Sequence, residues 1–457
     1  MKTAVSVAVD TVTDFIPVLI REIELGQPLP TLVAFDPQRE QIYRRVRCVI
    51  RLHTWPLGTV DLPFERDELA PGDYAPYIWQ ALGEQINAHL HEDGLPAVAG
   101  LDEVGLPAAQ KPECITERDA LMKTTPFASV VISTHERPAQ LACCLEALLA
   151  MRYPHYEVIV VDNAPSTSAT AELIQQKYAD EPKIRYVRED RPGSSSGRNH
   201  GILEASGEII AFIDDDVVVD TYWLAGLAKG FSVTENVACV TSLLLPLELE
   251  TPAQFLFEAA GGFTGGFEQR IFDLREHRWK KLSYPYFAGA LSAGVGASMA
   301  FTTTFLHKVG GLDPALSPGT PAFSGEDPAI LLQVILQGHR LVYEPASLAY
   351  HQHRRDYAAL QRQLYGYGVG FTAYLTKIIV DHPWLIFDCF YKFLRSLFFL
   401  WRHRLSRPEA ECEMIPFLQE LKRLHHRGML RGPFAYIRSR WSCGWTRKGL
   451  ALIKEGK

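Results

Sequence analysis

Four short apolar runs, Ala128–Ile132, Val158–Val161, Ile184–Val187 and Ile209–Ile213, alternate with stretches of helical spacing from Phe127 onward. No other feature constrains the chain as much, because this alternation is the signature of a mainly parallel sheet with helices packed on it. Helices are expected over Pro138–Met151 and Thr170–Ala179, and again over Arg198–Ala205 after a Gly/Ser loop at Pro192–Gly197. In open sheets of this kind ligands bind outside the carboxyl ends of the strands. The second run ends on Asp162 and the fourth on Asp214, Asp215 and Asp216, so both acidic positions fall where a ligand would sit.

The flanks read differently. Arg45–Leu52 and Thr59–Leu62, divided by Trp55-Pro56-Leu57-Gly58, predict a hairpin, and Ile78, Leu82, Ile86 and Leu90 predict an amphipathic helix over Tyr77–His91. Asp93–Pro112, rich in Gly, Pro and Ala without a period, reads as a linker. After His351 the strand signals fade and Tyr357–Lys377 reads as helix. The expected organisation is a small α+β region at 1–120, an α/β domain at 121–355 and a helical region at 356–457.

Charge divides the chain as well. With 46 Lys/Arg against 53 Asp/Glu the net charge is −7, which argues against nucleic-acid binding by a basic surface. Residues 402–457 nevertheless hold 13 Lys/Arg and 5 Asp/Glu, a local +8. Just before them, Phe387, Phe390, Tyr391, Leu394, Leu397, Phe398 and Trp401 form a wide apolar face over Trp384–Trp401. Asp388, Lys392 and Arg395 interrupt it, so it reads as a helix lying in a membrane interface rather than a span; packing on the protein or on a second subunit is the alternative. The residues Met1–Asp10 contain no apolar run of signal-peptide length. The eight cysteines (Cys48, Cys114, Cys143, Cys144, Cys239, Cys389, Cys412 and Cys443) show no C-x-x-C spacing and read as reduced thiols, so structural zinc is not expected. The reading is of a cytoplasmic protein held peripherally on the inner face of the cell membrane.

Three successive carboxylates at a strand end repel one another, and a cation or hydrogen-bond donors normally offset such a cluster. Hard oxygen ligands suit Mg²⁺ or Mn²⁺, whose shells are completed by water and substrate phosphate. An extended backbone would send Asp214 and Asp216 to one side and Asp215 to the other. A solvated acidic loop is the bland account, and for Asp162 it is ordinary turn chemistry with Asn163 and Pro165. Asp327, before Pro328 and the apolar stretch Ile330–Leu336, is placed as a helix N-cap or as a general base fixed by the helix start. His351 and His353 end a short strand and read either as a metal ligand with its neighbour or as solvated histidines.

Taken in order, Ser133-Thr-His-Glu-Arg137, Val160-Val-Asp-Asn163, Gly193 with Gly197-Arg-Asn199, Phe212-Ile-Asp-Asp-Asp216, Gly325-Glu-Asp327 and Tyr350-His351 resemble the family 2 glycosyltransferases from about Phe127 to Tyr374. The resemblance implies a GT-A fold that binds a nucleotide-diphosphate sugar, most often a uridine one, with Mn²⁺ or Mg²⁺ on the diphosphate. It implies donor contacts at Ser133, His135, Glu136, Asp162, Arg198, Asp214 and Asp215, and metal ligands at Asp216 and His351. It implies a base at Asp327 supported by Glu326, with inversion at the anomeric carbon. The acceptor would be a carbohydrate or lipid-linked hydroxyl in polysaccharide or glycolipid synthesis. The alternative function is a catalytically silent sugar-nucleotide-binding or scaffolding protein. Phe255–Tyr286, with its paired glycines, reads as an acceptor-facing loop or an ordinary surface connection.

Overall fold

The computed structural model describes residues 15–108, 110–263, 265–273, 294–383, 386–387 and 415–443. The segment expected as an interfacial helix (Trp384–Trp401) therefore lies almost entirely outside the described residues, as do residues 264 and 274–286 of the stretch expected as an acceptor-facing loop (Phe255–Tyr286).

Near the N-terminus β1 (Val18–Glu24), β2 (Arg45–Leu52) and β3 (Trp55–Pro63) form a three-stranded sheet in that order, β1 parallel and β3 antiparallel to β2. The hairpin is as expected, but its turn is not Trp55–Gly58. Leu52 pairs with Trp55, and the turn residues His53 and Thr54 both have positive φ, at 55° and 72°. Two central residues with positive φ make a hairpin turn that matches strand twist. Neither is glycine, and the Glu24 carboxylate supports both by accepting their N–H groups at 2.8 Å. Helix α1 (Pro71–Glu92) buries Ile78, Leu82, Ile86 and Leu90 as the four-residue spacing demands. The stretch read as a linker is fastened to this unit: Leu106 N–H donates to Leu25 and Leu29 N–H to Glu103, while Leu101 is buried. It leads into α2 (Glu113–Leu121), which buries none of its residues and so carried no apolar period to predict it by.

Apart from four two-residue strands paired near the N-terminus, the remaining strands are β4 (Ala128–Thr134), β5 (Tyr156–Asn163), β6 (Ile184–Glu189), β7 (Ile209–Ile213), β8 (Val217–Val219), β9 (Val237–Pro246), β10 (Arg270–Phe272), β11 (Ser298–Thr302) and β12 (Arg340–His351). They form one sheet in the order β6-β5-β4-β7-β11-β9-β12-β8, with β10 also on β12. The four strands that carry the site, β6 through β7, are all parallel. Alternation along each strand feeds two cores: Val130, Val158, Val160, Ala211 and Ile213 face one side, and Val131, Ile159, Val161, Ile210 and Phe212 the other. Both faces are covered, which is why these strands read as continuous apolar runs.

On the first face lie α3 (Pro138–Leu149), α4 (Ala169–Lys177) and α6 (Trp223–Ser232). On the second lie α5 (Ser194–Glu204), α8 (Thr303–Val309) and α9 (Glu326–Leu336), while the short α7 (Pro252–Ala259) buries Ala253, Leu256 and Phe257 with Leu360 and Leu421. The Gly/Ser loop expected at Pro192–Gly197 is mostly helix: α5 begins at Ser194 after Gly193, whose φ is 112°. Beyond the sheet, α10 (Tyr357–Asp381) packs on α11 (Ile415–Cys443). Their backbones nearly touch, since a Cβ on Gly368 would sit 2.0 Å from the His425 carbonyl and one on Gly428 2.2 Å from that of Tyr365.

Candidate active site

Strands β4, β5 and β7 end side by side, Thr134 beside Asp162 and Ile132 beside Ile213, so the loops after them share one edge of the sheet. At the β4 end, Ser133 is half-buried against α5, where a Cβ on Gly197 would sit 2.2 Å from its Oγ. His135 Nδ1 donates to the Asn163 carbonyl at 2.8 Å. Asn163 in turn joins the loops, accepting from Gly193 N–H at 2.9 Å and donating to the Arg191 carbonyl at 2.8 Å. Glu136, at φ 55°, accepts from the N–H groups and hydroxyls of Ser166 and Thr167, which hold its carboxyl down at about 2. Asp162 is buried and accepts from the Tyr186 hydroxyl at 2.9 Å, and burial raises its carboxyl above the ordinary range.

The triple Asp is a turn rather than an extended strand, since Val217 N–H returns to the Asp214 carbonyl. The expected alternation of 214 and 216 against 215 therefore does not hold. Asp215 and Asp216 are both buried and share the Arg137 guanidinium, at 3.1 Å and 3.0 Å, while Asp214 turns to Arg198 at 2.7 Å. Asp215 also accepts from the Thr134 hydroxyl at 2.7 Å. Burial, reinforced by the charge of Asp216, pushes the Asp215 carboxyl up to about 6. Burial acts on Asp216 in the same sense, but His351, Arg137 and Arg354 outweigh it and hold that carboxyl below its usual range.

His351 and His353 are buried, so the solvated account fails for both. His351 Nε2 lies 3.4 Å from Asp216 Oδ1, and its Nδ1 shares a hydrogen bond with His353 Nδ1 at 3.0 Å. His353 Nε2 continues to Glu258 at 2.9 Å, and Phe263 stands edge-on to His351. This chain of partners orients the His351 ring, and burial lowers its pKa and favours the neutral imidazole that a metal needs. Asp216 and His351 thus offer one oxygen and one nitrogen at a separation that two ligands of a single ion can span, a donor set that fits a divalent cation.

Asp327 is not the helix cap. Gly325, with φ 118°, stands at the N-cap and no side chain caps α9. The Asp327 carboxylate instead accepts from Gly296 N–H at 3.0 Å and from Arg198 Nη1 at 3.1 Å. Any side chain at 296 would collide with it, because a Cβ there would lie 1.9 Å from the carboxylate. Arg198 is buried and spans the site, reaching Asp214, Asp327, the Gly296 carbonyl and, at 3.7 Å, Glu326. Burial lifts the Asp327 carboxyl above the ordinary range against the pull of Arg198, with Asp214 adding to the rise. Glu326 is lifted well above its usual value by burial and by Asp327. Sequence reasoning assigned no role to Thr134, Arg137, Gly296, Glu258 or Arg354. Arg137 stood within a quoted motif, but nothing in its spacing said that it would neutralise the Asp pair.

A mixed sheet of this order, with carboxylates gathered where its parallel strands end, is the GT-A fold of nucleotide-sugar glycosyltransferases. Residues 129–293 match the family model described as Glycosyl transferase family 2. Glycosyltransferase AglE of Haloferax volcanii is 36% identical over 107 residues, 23% of this chain and 35% of that protein. A probable glycosyltransferase of Bacillus subtilis, YdaM, is 24% identical over 301 residues, 61% of this chain and 64% of that one. The chain thus spans less than two thirds of the length of these relatives. Among solved structures, a mannosyltransferase from Pyrobaculum calidifontis in complex with GDP-Man and Mn²⁺ is 17% identical, covering 73% of this chain and 79% of its own, with a TM-score of 0.39.

Proposed function

We propose that the chain transfers a sugar from a nucleoside-diphosphate donor, a uridine one by preference, to a hydroxyl acceptor with inversion of the anomeric carbon. The observation that carries this reading is the placement of Asp327: a half-buried carboxylate of raised pKa, held by Gly296 and tied through Arg198 to Asp214 beside the strand ends. A general base works best when its pKa approaches the operating pH, and burial moves Asp327 that way. Glu326 stands beside it, its own carboxyl lifted well above the usual range by burial.

In this reading Ser133, His135 and Asp162 contact the nucleoside, Asp214 the ribose, and Arg198 the donor. Glu136 and Asp215 position the loops by their bonds to Ser166 and Thr167 and to Thr134 and Arg137. Asp216 and His351 would hold Mn²⁺ or Mg²⁺, which supplies positive charge to the departing diphosphate. Asp327 takes the acceptor hydroxyl proton as the oxygen attacks, and the diphosphate leaves from the opposite side. The domain division is proposed as 1–120, 121–355 and 356–457, with the acceptor a carbohydrate or lipid-linked molecule of the cell envelope.

The membrane is a proposed partner, on different grounds from the sequence reading. Among the described residues no helix is long and apolar enough to cross a membrane. Helix α11 instead exposes Leu430 (79%), Phe434 (74%), Ile437 and Trp441 (73%) along one face, flanked by exposed Arg423, Arg427, Arg431 and Arg438. Apolar and basic residues so combined suit an interface with anionic lipid.

Incubation with a panel of nucleotide sugars, Mn²⁺ and candidate acceptors, reading released nucleoside diphosphate and the anomeric configuration by NMR, tests the proposal. Retention of configuration, or donor binding without turnover across the panel, would overturn it.

A further inference from the structure

His53, His89, Asp93 and Cys114 lie far from the strand-end carboxylates in sequence, and the mechanism above uses none of them. They come from the hairpin turn, the last turn of α1, its C-cap and the start of α2. One ligand atom from each lies within 4.8 Å of all the others. Asp93 Oδ2 is the centre of the group: His53 Nδ1 lies 2.5 Å from it, His89 Nε2 3.2 Å and Cys114 Sγ 3.2 Å. His53, His89 and Asp93 are more than nine-tenths buried, and Cys114 is partly so.

Hydrogen bonding alone leaves this cluster incomplete. Asp93 Oδ2 accepts from His53 and from the Cys114 thiol, yet His89 Nε2 has no hydrogen-bond partner although it points at the same oxygen, and His53 Nε2 has none either. Buried polar atoms are rarely left this way, and an ion or water is the usual completion. We propose that His53, His89, Asp93 and Cys114 form a tetrahedral structural zinc site. Two imidazoles, one carboxylate and one thiolate are ligands that Zn²⁺ accepts, whereas sulfur disfavours Mg²⁺ and Mn²⁺. Zinc bonds of about 2.0–2.3 Å set ligand atoms some 3.3–3.8 Å apart, so side-chain shifts of about 1 Å open the cluster around an ion. Cysteine spacing could not show such a site: it uses one cysteine, and its other ligands are brought in by the fold.

The surroundings are built to hold the ligands. Asp93 Oδ1 accepts the Cys114 N–H at 2.8 Å, which aims Oδ2 inward. Glu24 fixes the backbone of His53, and Arg118 donates to the Thr54 hydroxyl. Such outer partners orient metal ligands. Zinc binding would replace the Cys114 thiol proton, which leaves to solvent. The crevice beside Cys114 and Arg118 is closed by Tyr222, Ala225, Gly226 and Lys229 of α6 and its approach. An ion here would therefore lock the hairpin, α1 and the Asp93–Pro112 stretch together where they meet the catalytic domain. All four positions would be filled by protein, which makes the role structural.

The test is metal analysis of the full-length protein expressed with added zinc and desalted. About one equivalent of zinc per chain is expected, retained in Asp216→Ala and reduced at least about tenfold in both Cys114→Ser and His89→Gln. Metal-free protein titrated with Co²⁺ should develop a thiolate charge-transfer band that Cys114→Ser lacks, and chelation should lower the Tm of the wild type but not of Cys114→Ser. No zinc in the wild type together with no cobalt–thiolate band, or zinc content unchanged by both ligand substitutions, would overturn the proposal. The cobalt titration needs only the wild type, so it decides the matter even if a variant fails to fold.

Discussion

Asp327 and Arg198 are bonded at 3.1 Å, carboxylate to guanidinium, the guanidinium buried and the carboxylate half-buried. The pair sets two opposing demands on Asp327: burial favours the protonated acid, and Arg198 favours the carboxylate a base must be. Asp327→Asn keeps the size and the bond to Gly296 but cannot take a proton. Glycosyl transfer should fall by roughly 10² or more while donor affinity changes little. Steady-state kinetics with donor binding by calorimetry checks this, and near wild-type turnover in a folded variant would remove Asp327 as the base.

The same opposition sets a pH dependence. A base acts deprotonated, so activity is lost as pH falls through its pKa. Because burial has raised that pKa, the acid limb of kcat/KM should lie above the ordinary carboxylate range. Arg198→Gln removes the charge that lowers it, so the limb should move to higher pH. A limb unmoved by this substitution, in protein with a normal melting transition, would mean that another group titrates.

The metal prediction separates ligand from supporter. Asp216→Ala should abolish most of the Mn²⁺-dependent gain in nucleoside-diphosphate affinity. His353→Ala, which removes the partner orienting His351, should cost about 10- to 100-fold in metal affinity. Asp215→Asn keeps an acceptor for Thr134 and should have the smallest effect. Titration of UDP with and without chelator reads all three, and a wild type indifferent to chelator would take the metal out of the account.

Much of the central sheet was legible because each strand is buried on both faces, so its apolar run shows in the sequence whatever surrounds it. The elements missed are of two kinds: apolar ones that no run singled out, such as β9, β11 and α6, and ones whose signal is not apolar. Helix α2 buries nothing, and the α5 start was hidden by Gly and Ser, which favour loops until tertiary contacts hold them. The positions of Asp327 and His351 were readable from order and spacing. Their partners were not: that Arg198 would bridge Asp214 to Asp327 depends on segments 129 residues apart converging, and that His353 would sit behind His351 depends on how the chain turns after β12. The His53–His89–Asp93–Cys114 cluster shows the same limit, since no spacing rule joins a hairpin turn to two helices.

The α10–α11 pair yields a stability prediction. Alanine normally gains about 1 kcal/mol over glycine inside a helix. At Gly368 the added Cβ would meet the His425 carbonyl at 2.0 Å, and backbone cannot step aside as a side chain would. The overpacking cost of about 1–3 kcal/mol should then exceed the gain. Gly368→Ala should lower the denaturation midpoint, and a stabilised variant would show that the helices separate freely.

The last prediction concerns the exposed face of α11. Phe434 and Trp441 are aromatic side chains that can each bury on the order of 150–250 Å² of surface, worth several kcal/mol together at about 25 cal/mol per Å². Arg423, Arg427, Arg431 and Arg438 beside them add about 1 kcal/mol each near an anionic surface. Because interfacial binding combines apolar burial with charge attraction, neither should suffice alone. The protein should sediment with vesicles containing phosphatidylglycerol, poorly with neutral ones, and be partly released by salt. Phe434→Ser with Trp441→Ser removes the apolar contribution without touching the packed side of the helix, so it should abolish sedimentation and leave nucleotide binding intact. Equal recovery of the wild type with anionic, neutral and no vesicles would show that this face serves a protein partner or none.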